Sequence, residues 1–123
     1  PEAFYQGFML GLVAGIDQKQ YEIKSNRESG LGRYDIAIIP KNISKPATIL
    51  EIKSVSIPKI AKKNLPKVLD SLLVREAKKA LEQINRNKYE IDLVQRGVMN
   101  VVKIGIAFYG KEFRLMYEGG ARG

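Results

Sequence analysis

Three short runs with strand character, joined by brief turns, constrain this fold more than anything else in the sequence. Tyr21 to Ser25 alternates apolar and polar residues, Tyr34 to Ile39 is closed by Pro40, and Ala47 to Lys53 follows a turn at Lys41 to Pro46. Asn26 to Gly32, with Gly30 and Gly32 as breakers, reads as the turn between the first two strands. Strands joined this closely pair antiparallel, since a parallel neighbour needs a crossover of roughly a dozen residues or more. A three-stranded meander is the expectation.

Helical periodicity flanks the meander. Phe4 to Ile16 carries Phe4, Phe8 and Leu12 every four residues and is apolar over most of its surface, which predicts a buried first helix. Gly7, Gly11 and Gly15 lower its propensity by up to about 1 kcal/mol each and predict close packing on a sheet. A basic loop, Ser54 to Pro66, precedes a second helix running to about Asn85, with Leu69, Leu73, Ala77, Ala80 and Ile84 as its buried stripe. Lys88 to Arg96 reads as a third helix, stopped at Gly97. Val101 to Phe108 and Phe113 to Tyr117 read as two last strands around a turn at Gly110, and the glycine-rich tail Glu118 to Gly123 reads as frayed. Residues 1–123 are thus expected to form one α/β domain. The start at Pro1, without an initiator methionine, is compatible with a piece of a longer protein from which an upstream domain is missing.

What the sequence lacks narrows the chemistry. It contains neither cysteine nor histidine. That removes disulfides, thiolate zinc sites, cysteine nucleophiles, Ser-His-Asp triads and histidine-based nucleases. Carboxylates, lysines, arginines and hydroxyls remain, so a bound metal would have oxygen ligands, as magnesium, manganese and calcium do. The longest apolar run, Phe8 to Ile16, has nine residues, against roughly twenty for a membrane-spanning helix. No membrane segment and a cytoplasmic location are expected.

Strand alternation then places specific groups together. In the third strand Thr48, Leu50 and Ile52 share one face, and Ile49, Glu51 and Lys53 the other. In the second strand Asp35, Ala37 and Ile39 share a face. If the two strands pair through the Lys41 to Pro46 turn, Asp35 and Glu51 come close. Two adjacent carboxylates repel, and a divalent cation between them relieves the repulsion. With a lysine alongside, the set suits metal-dependent phosphodiester hydrolysis. The same spacing also fits a solvated face carrying a surface ion pair of little worth.

Gly32-Arg33-Tyr34-Asp35 followed by Ile49-Leu50-Glu51-Ile52-Lys53 resembles the Asp…Glu-x-Lys signature of the PD-(D/E)XK nuclease superfamily. Ser25 to Asp35, Ala80-Leu81-Glu82-Gln83-Ile84 with Tyr89, and Gly105 to Lys111 further resemble the nuclease-like domain that follows an AAA-type ATPase-like domain in many prokaryotic proteins. The resemblance covers nearly the whole chain. It implies a restriction-endonuclease-like core: a helix, a three-stranded antiparallel meander, helices, then two further strands in one mixed sheet. It also implies roles. Asp35 and Glu51 would ligate Mg2+ (or Mn2+) with the backbone carbonyl of Ile52, and Lys53 would position the attacking water or stabilise the transition state. Gln83 would be the helix glutamine found beside some such sites; as a plain sequence feature it fits a helix-surface polar residue equally well. Tyr34 stands where the motif has proline. Gln6 stands where related first helices commonly have histidine, which puts activity in question. Glu28 could add a carboxylate or pair with Arg27 or Arg33.

Charge points the same way. Lysine and arginine number 21 and aspartate and glutamate 13, a formal net charge of +8. Lys59, Lys62, Lys63 and Lys67 follow the candidate strand with no acid among them, which predicts contact with nucleic-acid phosphates, DNA before RNA. The alternative for such lysines is an exposed, solubilising surface. The partners expected are DNA, an AAA-type ATPase-like domain and, in a junction-resolving variant, a second copy. The rival functions are a catalytically inactive nucleic-acid-binding module and a domain that docks on its ATPase partner.

Overall fold

The antiparallel pairing of the second and third strands decides the architecture. A computed structural model describes residues 2–28, 33–57, 65–86 and 89–119. The order of elements is α1 (Glu2–Gly15), β1 (Tyr21–Glu28), β2 (Arg33–Pro40), β3 (Ala47–Ser54), α2 (Leu65–Ile84), α3 (Tyr89–Gln95), β4 (Val101–Tyr109) and β5 (Glu112–Gly119). Among the described residues these strands form one five-stranded sheet in the order β1-β2-β3-β4-β5. β1, β2 and β3 make the expected antiparallel meander. β3 and β4 pair in parallel, so α2 and α3 lie within the crossover between them, and β5 returns antiparallel to β4. The result is the mixed α/β sheet of a restriction-endonuclease-like fold.

Both faces of the sheet are apolar, for different reasons. On one face Leu73, Ala77, Ala80 and Ile84 of α2 are buried against the sheet. Ala37, Ile39, Ala47 and Ile49 join Ile84, Leu93 and Val98 in one cluster there, and Leu73, Ala77 and Ala107 form a second. This is the stripe that periodicity predicts. α2 can come so near because β4 has Gly105 beneath it: a Cβ there would collide with the Ala77 carbonyl oxygen and the Leu81 backbone. The turn that closes α3 holds Gly97, whose φ of 94° suits glycine. Val98 N–H donates to the Leu93 carbonyl and Gly97 N–H to that of Val94, which satisfies two carbonyls of the last turn.

On the other face Ile36, Leu50, Ile52 and Phe108 are buried with Phe8 and Leu12 of α1 packed against them. Here two expectations need correction. α1 is not a buried helix: Leu10 is 72% exposed, and Gly7, Gly11 and Gly15 have open space where a Cβ would stand. Among its described residues Phe8 and Leu12 pack on the sheet, while Leu10 and Val13 face water. The second correction concerns Asn26 to Glu28. These residues extend β1 instead of turning, because they pair with Asp35, Tyr34 and Arg33.

Candidate active site

Asp35 and Glu51 are direct partners across β2 and β3. Directly opposite side chains lie on the same face with Cβ atoms roughly 5 Å apart. Both carboxylates are buried, at 9% and 3% exposure, which excludes the solvated-face alternative. The cause is α2: the Glu51 face is the one covered by the crossover, and Glu51 is flanked on β4 by Gly105, where the helix backbone comes closest.

Lys53 follows on the same face of β3. Its Nζ donates to Glu76 Oε2 at 2.6 Å, a partly buried contact between strand and helix. Lys79 Nζ lies 3.7 Å from Glu76 Oε1. Burial by itself would raise the Glu76 carboxyl. The hydrogen bond and charge of Lys53, with the charges of Lys79 and Arg75, outweigh it and hold the group below its ordinary value. Glu76 is a residue that the reading of the sequence does not single out. The signal was there: it lies three residues after Leu73 and four before Ala80, on the border of the buried stripe.

Gln83 is brought to the same place. It lines a cavity of about 350 Å³ together with Lys53, Lys79, Ala80, Glu82 and Arg86. Ile52 stands between Glu51 and Lys53 with its side chain in the core of the opposite face. Lys103, two positions from Gly105 on β4, anchors the end of the crossover by donating to Asn85 Oδ1 at 2.8 Å and pairing with Glu90 Oε2 at 2.7 Å.

Not every expected residue joins the group. Lys67 is exposed near the start of α2 and is not among the residues lining the cavity. Lys59, Lys62 and Lys63 lie outside the described residues, as do the side chains of Gln6 and Glu28. Glu28 belongs to β1, paired with Arg33, and not to a turn.

The donor set can be judged against a metal. Among the described residues no three His, Cys, Asp or Glu side chains are clustered for one. Two carboxylates are nevertheless enough for a hard cation such as magnesium, which keeps several waters and takes one or two protein carboxylates. Like charges placed opposite each other on a sheet destabilise it, so Asp35 and Glu51 fit a cation that offsets them. No helix among the described residues is long and apolar enough to cross a membrane.

A family model described as the PD-(D/E)XK nuclease superfamily matches residues 1–118. Searches of curated proteins and of solved structures gave no significant match.

Proposed function

The chain belongs to the PD-(D/E)XK nuclease superfamily, and from that premise we propose that it is a metal-dependent nuclease hydrolysing phosphodiester bonds in DNA. The observation that carries this reading is the buried pairing of Asp35 with Glu51, with Lys53 following on the same face. Asp35 and Glu51, with the backbone carbonyl of Ile52, would hold Mg2+ or Mn2+. Such an ion, when bound, stabilises charge on the phosphoryl oxygens and acidifies water for attack. Glu51 and Asp35 fix its place because both sit on rigid, hydrogen-bonded strands. The Lys53 ammonium, oriented by Glu76, places the attacking water and meets the negative charge that develops on the phosphate. Gln83 borders the same space and can donate its amide N–H to a phosphate oxygen. The cytoplasm, an AAA-type ATPase-like partner and a homodimer belong to this same reading.

One observation favours a second reading, a catalytically silent nucleic-acid-binding domain. Lys53 is already engaged by Glu76 at 2.6 Å, which leaves its charge compensated before any substrate arrives. Cleavage of supercoiled, linear and branched DNA in magnesium or manganese separates the two, with EDTA and Lys53→Ala alongside. We expect metal-dependent nicking that Lys53→Ala reduces by at least about a hundredfold, the scale on which one transition-state donor acts. Binding without cleavage by the wild type would select the silent domain.

A further inference from the structure

The cavity between β3 and the C-terminal half of α2 has chemistry that two carboxylates and a lysine do not account for. Among the described residues that line it three are cationic, Lys53, Lys79 and Arg86, against the carboxylate of Glu82. Lys53 is compensated by Glu76. Lys79 is held more loosely, 3.7 Å from Glu76 with its side chain 56% exposed, and an exposed pair of this kind contributes at most about 1 kcal/mol. Arg86 makes no ion pair among the described residues. It stands just beyond the end of α2, where its N–H donates to the Gln83 carbonyl. A helix C-terminus carries the equivalent of about half a negative charge, so the full charge of Arg86 outweighs it there.

Spacing adds direction. Lys79 and Gln83 are four residues apart on one side of α2 and Arg86 follows in the turn after the helix, so the three form a row of roughly 10 Å. One strand of B-form DNA advances about 3.4 Å along the axis per phosphate, so the row can meet more than one phosphate. Its inner end opens beside Lys53.

We propose that this cavity is a phosphate subsite for a DNA strand, in which Lys79 and Arg86 hold the backbone flanking the phosphate that faces Lys53, while Gln83 donates a hydrogen bond to it. The orientation relative to the scissile phosphate rests on the nuclease reading; the subsite itself rests on the charge and shape of the cavity.

The test is equilibrium binding of a fluorescent DNA duplex in EDTA across a salt series, followed by cleavage in magnesium. The variants are Lys79→Ala/Arg86→Ala and a charge-matched control, Lys19→Ala/Lys111→Ala, whose positions line no part of the cavity. Two phosphate contacts should lower the slope of log K against log salt by about two in the cavity variant. Affinity at low salt should fall at least about tenfold, while the control stays near wild type. Lys79→Arg/Arg86→Lys should keep the wild-type slope. Equal slopes in wild type and cavity variant, an equal loss in the control, or no salt-dependent binding by the wild type would each overturn the subsite. The nuclease reading fails separately: wild type that binds through Lys79 and Arg86 but does not cleave keeps the subsite and loses the hydrolysis. Cleavage with unchanged binding in the variant does the reverse.

Discussion

The two faces of the sheet are built from similar apolar residues and treated very differently. On the face of α2 the helix backbone presses onto Gly105, and Leu73, Ala77 and Ile84 are fully buried. On the face of α1 the described contacts are those of Phe8 and Leu12, and β5 leaves Phe113, Leu115 and Tyr117 exposed. The candidate site lies on the first face. Close packing there buries the Asp35 and Glu51 pair and holds Glu76 within reach of Lys53. A loosely covered face would leave both carboxylates and the Lys53 contact more open to solvent.

The contrast can be broken most sharply by trimming one leucine on each face. Leu73→Ala should cost about 2–5 kcal/mol, the range for a fully buried leucine. Leu10→Ala should change stability by no more than about 0.5 kcal/mol, as for an exposed residue. Urea denaturation of both variants measures the difference, and equal effects would show the two faces to be packed alike.

Adding a methyl group should give opposite signs. Gly105→Ala meets the backbone of α2, which cannot swing aside, so a loss of about 3 kcal/mol is expected, at the upper end for overpacking. Gly11→Ala enters open space on α1 and should gain up to about 1 kcal/mol through helix propensity. Thermal melts read both.

The smallest effect concerns acid. Glu76 has its carboxyl held below 4.5 in the folded chain. A depressed carboxylate adds stability that is fully present above the unfolded value and is lost as pH falls through the folded one. Wild type should therefore lose its advantage over Glu76→Gln as pH drops below 4.5, by less than the buried-leucine cost. A constant gap between the two across that range would mean that the Lys53 contact does not bias the titration.

Much of this arrangement was legible in the residues. Alternation placed Asp35 with Ala37 and Glu51 with Ile49 before any register was known, and a short turn left few ways to pair them. The α2 stripe was equally plain, because Leu73, Ala77, Ala80 and Ile84 keep helical spacing. What escaped depends on contacts distant in sequence. The burial of α1 failed because apolar composition says nothing of how much sheet a helix can cover. Asn26 to Glu28 failed because strand pairing overrode local turn preference. Glu76 escaped because its role exists only once α2 is laid across Lys53.

The outermost strand matters to a molecule in crowded company. With β5 at the border of the sheet, one row of its backbone donors and acceptors faces away from β4, the setting in which strands from other chains add and aggregates begin. Its apolar side, Phe113, Leu115 and Tyr117, would favour such growth. Glu112 and Glu118 flank those residues and Arg114 stands between the first two, drawn back to Asp70 of α2 at 2.6 Å. Alternating charge along an exposed border is a common defence against unwanted strand addition, and in this chain it guards the strand that closes the sheet beside the candidate site.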